Sequence, residues 1–140
     1  MEYLKMKKIA ILGCGNGGQA LAGYLSILGH QVNLYAHHDH PGGIYTIQQY
    51  NGIEIGGIVS GFANINLVST DLQACVKDVE IILMTLPALA CEQIFTEMLP
   101  FLKNGQIIVN MAGAHAGRFG NFRHPGAVIT TTTETIGGCR

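Results

Sequence analysis

Three glycines restrict this chain more than any other feature. Gly13, Gly15 and Gly18 stand as G-x-G-x-x-G within Ile9-Ala10-Ile11-Leu12-Gly13-Cys14-Gly15-Asn16-Gly17-Gly18-Gln19-Ala20. A short apolar run at 8–12 reads as a buried strand before them, and Ala20, Leu21, Tyr24, Leu25 and Leu28 follow at helical spacing. The spacing predicts a helix over 19–28, closed by Gly29 as its C-cap. Between a strand and a helix, the pattern carries more weight than it does alone. Gly13 makes the tight turn, Gly15 lets the backbone approach a pyrophosphate, and Gly18 lets helix and strand pack closely. Unpaired N–H groups at the helix start, reinforced by its dipole, then bind the anion without a lysine. A triphosphate-binding loop would need Lys-Ser or Lys-Thr after the last glycine, and Gln19-Ala20 excludes it. Cys14, Asn16 and Gly17 complete the expected cofactor-binding turn, Cys14 as a small packing residue.

The rest of the chain alternates strands and helices. Strands are predicted at 31–35, 67–68, 81–85, 106–111 and 127–132. Helices are predicted at 44–50, from Thr70 or Asp71 to Lys77, and from Pro87 to Leu102, with proline tolerated where its missing N–H has no helical partner. Residues 53–55 and 58–60 flank Gly56-Gly57, which predicts a hairpin with a two-residue turn. This order implies an α/β fold: one doubly wound, mostly parallel sheet of the Rossmann type, in a single domain over 1–140.

Composition bounds the function. Of 140 residues, 48% are hydrophobic and 12% charged, against about 25% charged in an ordinary soluble domain, so a core forms and disorder is excluded. A net charge of -1 offers no basic field for nucleic acid or an anionic membrane. The longest apolar run, 81–91, is broken by Thr85 and Pro87 and falls short of the ~20 residues of a spanning helix. Four residues between Lys8 and Gly13 are too few for a signal peptide's apolar segment. Cys14, Cys75, Cys91 and Cys139 have no paired spacing, which points to a reducing, cytoplasmic setting.

Beyond the strand at 31–35, dinucleotide-binding folds usually place an acidic residue for the ribose hydroxyls. Here Ala36-His37-His38-Asp39 follows Tyr35. The missing carboxylate and nearby imidazoles favour NADP over NAD, or weak discrimination between them, with Asp39 able to serve if the strand runs longer. Ala36, His37 and His38 are therefore expected beside the adenosine ribose. The run 37–40 also raises a metal reading. Adjacent histidines at a strand end should point in different directions, and no second ligand cluster converges on them, so no metal is expected. Thr85, Leu86, Pro87 and Ala88, at the carboxyl end of another strand, are expected against the cofactor's ribose or nicotinamide. The loop at 112–117 could reach the same cleft, with His115 its one candidate acid or base.

The segment 12–18 with Ala20, Tyr24-Leu25 and Gly29-His30 resembles the opening of the opine dehydrogenases, the group of octopine, nopaline and N-(carboxyalkyl)amino-acid dehydrogenases. Ser69-Thr70-Asp71 with Ala74, Val76-Lys77-Asp78, Leu86-Pro87-Ala88, the stretch 102–111 with Gly113, and Glu134 to Arg140 extend the likeness. Its first part is shared with glycerol-3-phosphate dehydrogenases and ketopantoate reductases. The resemblance implies reductive condensation of an amino acid with an α-keto acid, by hydride transfer from NAD(P)H to an imine. It implies that Gly13, Gly15, Asn16, Gly17 and Gly18 hold the pyrophosphate and that Pro87-Ala88 face the cofactor. The family's catalytic histidine belongs to a following helical domain, so no catalytic residue is assigned here. The expectation is a cofactor-binding half that works with a missing substrate domain or partner subunit. A non-catalytic nucleotide-binding module, dimerising through an apolar edge, is the alternative from another class.

Overall fold

The computed structural model describes residues 5–111, 126 and 128–131. Along the chain run β1 (Lys8–Leu12), α1 (Asn16–Ile27), β2 (Gln31–Tyr35), α2 (Ile44–Tyr50), β3 (Gly52–Ile55), β4 (Gly61–Asn64), β5 (Leu67–Ser69), α3 (Leu72–Val76), β6 (Ile81–Met84), α4 (Ala88–Met98), a 3₁₀ turn (Leu99–Phe101), β7 (Ile107–Asn110) and β8 (Val128–Thr131). Six strands form one sheet in the order β5-β2-β1-β6-β7-β8, and every pairing in it is parallel. From β1 the chain builds outward through β2 to β5, then returns to the other side of β1 as β6. The crevice between the carboxyl ends of β1 and β6 is therefore the point where the winding reverses, the place where such sheets take ligands.

Strands buried on both faces carry continuous apolar runs rather than alternation, and β1 follows that rule. Ala10 and Leu12 join Cys75, Val76, Ile82, Met84, Phe95 and Met98 in the core under α3 and α4. Ile9 and Ile11 join Ala22, Val32, Leu34, Ile44 and Ala63 in the second core, under α1, α2 and the hairpin. One pleated strand thus feeds both cores through its period of two. Asn33, Gln106 and Asn110 are buried polar side chains. The Asn33 amide donates to the Cys75 carbonyl at 3.0 Å, and the Gln106 amide to the Val76 and Val79 carbonyls at 2.8 and 2.9 Å. These bonds tie α3 to the sheet.

The doubly wound, mostly parallel sheet is as expected, with three local differences. Helix α1 starts at Asn16, three residues ahead of the predicted start, so Gly17 and Gly18 lie in its first turn. The hairpin's second strand is 61–64 instead of 58–60, and five residues, not two, make the connection. Its register pairs Ile53 with Ala63 and Ile55 with Gly61. That register sends Ala63 and Ile65 into the core, a better burial than the 58–60 strand could offer, and leaves Ile58 fully exposed. Finally, α4 ends at Met98, and the 3₁₀ turn containing Pro100 completes the stretch. Asp71 caps α3, its carboxylate accepting the Ala74 amide at 3.3 Å.

Candidate functional site

Leu12 ends β1 and Gly13 turns the chain with φ +119°, a conformation that favours glycine. The Gly13 amide donates to the Tyr35 carbonyl at 2.8 Å, which ties the turn to the end of β2. From the other side, the Thr85 hydroxyl donates to the Leu12 and Gly13 carbonyls at 3.1 and 3.3 Å. A methyl group on Gly18 would collide with the Gly13 carbonyl oxygen, so the helix can approach the strand only with glycine there. At Gly15 and Gly17, by contrast, an added methyl would meet nothing within 4 Å. Of the four glycines in 13–18, Gly13 and Gly18 are thus closed by packing, while Gly15 and Gly17 face open space. Gly15 is the N-cap of α1, and no side chain caps that end, so its leading amides are free to serve an anion.

This open space belongs to a cleft of about 690 Å³ bounded by the glycine turn, the loop after β2, the Thr85-Leu86-Pro87 loop and one face of α4. Its size falls within the 300–1,000 Å³ typical of small-molecule sites. Gly13, Cys14, Gly15, Asn16, Gly17, Ala36, His37, Leu86 and Pro87 all line it. Gly18 is buried behind them, and Ala88 opens α4. His38 is not among the lining residues and its side chain is 68% exposed. Asp39 and His40 do line the cleft, although β2 ends at Tyr35, because a turn at 37–40 folds them back: the His40 amide donates to the His37 carbonyl at 3.0 Å.

One expectation about this loop is overturned. The rings of His37 and His38 do not diverge but stack, with centroids 4.3 Å apart and 26° between planes. The Asp39 amide donates to His37 Nδ1 at 3.1 Å, which draws the loop into a tight turn and brings the rings together. Cys14 is buried, and burial pushes its thiol up despite a backbone hydrogen bond from Gly43 that works the other way. It packs as expected and is not an activated nucleophile. The loop at 112–117, His115 and the segment from Glu134 to Arg140 lie outside the described residues.

Thr85, from the loop expected against the cofactor, also lines the cleft, and so do Gly42, Gln93 and Ile94, which had not been singled out. Gly42 sits against the Cys14 carbonyl, where a methyl group would collide, and the Gln19 amide donates to the same carbonyl at 3.0 Å. The Pro41-Gly42-Gly43 run was the available signal for that contact. Spacing along α4, with Ala90, Gln93 and Ile94 on one side, was the signal for the far wall.

Charge is divided between the two ends of the sheet. Among the described residues, no lysine or arginine lines the cleft. Lys7, Lys77 and Lys103 surround a separate depression at the amino end of the strands, with Asp78 and Glu80. There the Lys103 ammonium, 3.1 Å away, holds the Asp78 carboxyl below its usual range, and the Lys8 amide together with Lys7 does the same for Glu80. Among the described residues, anion binding at the glycine turn therefore falls to backbone amides and the α1 dipole. A turn with uncapped amides, closed by packing below and open above Gly15 and Gly17, fits a dinucleotide's pyrophosphate.

Comparison with known proteins agrees with that fit. The profile of the family described as NAD-dependent glycerol-3-phosphate dehydrogenase N-terminus matches residues 8–117. An opine dehydrogenase of Arthrobacter sp. (strain 1C) is 31% identical over 98% of this chain and 40% of its own length. A glycerol-3-phosphate dehydrogenase [NAD(P)+] of Bacillus velezensis is 29% identical over 76% of this chain and 30% of its own. Octopine dehydrogenase, solved with NADH and L-arginine, shares the fold at a TM-score of 0.62 and 18% identity, over 75% of this chain and 28% of that one. The chain thus spans well under half the length of these relatives. No described helix is long and apolar enough to cross a membrane. The chain belongs to the NAD-dependent glycerol-3-phosphate dehydrogenase N-terminus family, with an opine dehydrogenase among its relatives.

Proposed function

We propose that this domain holds the cofactor of an opine-type dehydrogenase, which condenses an amino acid with an α-keto acid and reduces the imine. The observation that carries this reading is extent: similarity to the Arthrobacter opine dehydrogenase runs over 98% of the chain, whereas the family profile stops at residue 117. When bound, the nicotinamide supplies the hydride. The chain's own residues bind and orient. The amides of Gly13, Gly15, Asn16, Gly17 and Gly18 would receive the pyrophosphate, with Cys14 packed beneath. Ala36 and His37 would border the adenosine ribose, with His38 flanking, and Leu86, Pro87 and Ala88 would face the reacting end. The absence of a carboxylate at position 36 and the imidazole of His37 favour NADP(H); Asp39, lining the same cleft, is the group that opposes a 2′-phosphate and would serve NAD(H).

A second reading, the cofactor domain of a glycerol-3-phosphate dehydrogenase, is favoured by the family profile and by the Bacillus velezensis relative. In both readings a substrate domain outside the described residues completes the active site. An apolar groove of about 520 Å³ beside the cleft, lined by Leu21, Tyr24, Leu86 and Met111, suits its docking or a second copy of the chain. A cytoplasmic location belongs to the same proposal.

Titration of NADPH and NADH, followed by nucleotide fluorescence, tests the binding reading: both should saturate, NADPH at the lower concentration. Turnover of the isolated chain should stay near background with keto acid plus amino acid and with glycerol 3-phosphate. Brisk turnover with either substrate set would contradict the need for a further domain, and identify which reading holds.

A further inference from the structure

We propose that the loop after β2 is also a binding site for a divalent transition-metal ion of the zinc type, ligated by His37, His38 and Asp39. Each residue offers one donor atom, and these atoms all lie within 4.8 Å of one another. The Asp39 carboxylate reaches both imidazoles, Oδ1 lying 3.3 Å from His38 Nε2 and Oδ2 3.8 Å from His37 Nδ1. A tetrahedral zinc ion, with nitrogen and oxygen ligands at about 2.0–2.2 Å, holds its donors ~3.3–3.5 Å apart. One pair already has that spacing, and rotation of the exposed His38 and Asp39 side chains about the less exposed His37 closes the others, unstacking the two rings. An ion at His37 Nδ1 takes the place of the Asp39 amide now bonded there.

The donor set selects the class of ion. Two imidazoles and a carboxylate suit zinc and its transition-metal neighbours, whereas calcium and magnesium require six or more oxygen ligands. Neutral imidazoles with one carboxylate leave a bound dication only partly neutralised, and no lysine or arginine among the described residues lines this cleft to repel it. His37 and Asp39 line the dinucleotide cleft, so the ion sits on its rim. Three protein ligands leave a fourth position for water or for an oxygen of the cleft's occupant. The ion's own binding does not depend on the dinucleotide reading.

Zinc chloride titrated into the full, dinucleotide-free chain tests the site, by calorimetry and by the histidine ring protons in NMR. One saturable equivalent is expected. The His37 and His38 ring signals should shift, and those of His30, whose Nδ1 accepts the Lys7 amide at 3.0 Å, should not. His38→Ala and Asp39→Asn, both at exposed positions, should fold normally by circular dichroism and weaken zinc binding at least about tenfold, as loss of a ligand or its support does. Absence of a saturable equivalent would overturn the proposal. So would affinity unchanged in both variants, or ring shifts confined to other histidines, because zinc would then be held elsewhere.

Discussion

A methyl group at Gly15 would meet open space, whereas at Gly18 it would run into the Gly13 carbonyl oxygen. The two glycines therefore separate binding from folding. Gly15→Ala should leave the urea midpoint close to that of the parent and weaken dinucleotide binding at least about tenfold, roughly 1.4 kcal/mol, because its methyl occupies the pyrophosphate's place. Gly18→Ala should cost about 2 kcal/mol or more of stability, as overpacking against rigid backbone does. Equal loss of stability in both would contradict this division. Buried ionisable groups give a second residue-scale outcome. Burial pushes the Cys75 thiol up to about 12, with Asp71 adding to it, and burial likewise pushes the Tyr35 hydroxyl up to about 12. Both groups stay protonated in the folded chain at a pH where the unfolded chain already ionises, so the unfolded state binds fewer protons there. Stability should hold to about pH 9 and fall from there towards about pH 12. Cys75→Ala should flatten that fall, whatever it costs at neutral pH. Urea midpoints at several pH values between 8 and 11 check the slope, and a level profile would contradict it.

Helix α1 lies over the hairpin as well as the sheet, and Gly23 marks the contact: a methyl group there would stand 2.5 Å from Ile55 Cγ2. Because Ile is stiff at χ1, Gly23→Ala should destabilise by about 1–3 kcal/mol even though alanine is the better helix former by roughly 0.5–1 kcal/mol. A gain in the urea midpoint would mean the helix does not rest on the hairpin as described. This contact also explains what could be read in advance. Parallel strands buried on both faces carry unbroken apolar runs, so β1, β6 and β7 were legible from local sequence, β2 was legible from Val32 and Leu34, and α2 was legible too; the cap of α3 was narrowed to Thr70 or Asp71, and Asp71 makes it. The hairpin's second strand was not, because Ile58-Val59 is the more strand-like pair, yet packing under α1 rewards the small Ala63 instead. The start of α1 was obscured for a similar reason: Gly17 and Gly18 read locally as helix breakers, although close approach to the strand–helix turn makes glycine the right residue at 18 inside the first turn. Within the site, the glycine turn was visible as a motif. Thr85 bonding back to Leu12 and Gly13 joins residues distant in sequence, and no local pattern announces it; for Gly42 against Cys14 the Pro41-Gly42-Gly43 run signalled a turn but not its partner.

Across the whole molecule, charge and chemistry occupy opposite ends of one sheet. The described lysines gather where the strands begin, in contact with Asp78 and Glu80, and the uncapped start of α1 faces the cleft where the strands end. A dianionic ligand that sought simple positive charge would choose the lysine end; one read by backbone amides would choose the glycine turn. The account requires the second. The most direct test is a titration of the ¹⁵N-labelled chain with NADH, reading every amide. The amides of 13–18, with Ala36, His37 and Leu86, should shift along a single saturable curve, while those of Lys7, Glu80 and Lys103 stay in place. Shifts confined to the lysine end, or a glycine turn that ignores saturating nucleotide, would contradict the central claim.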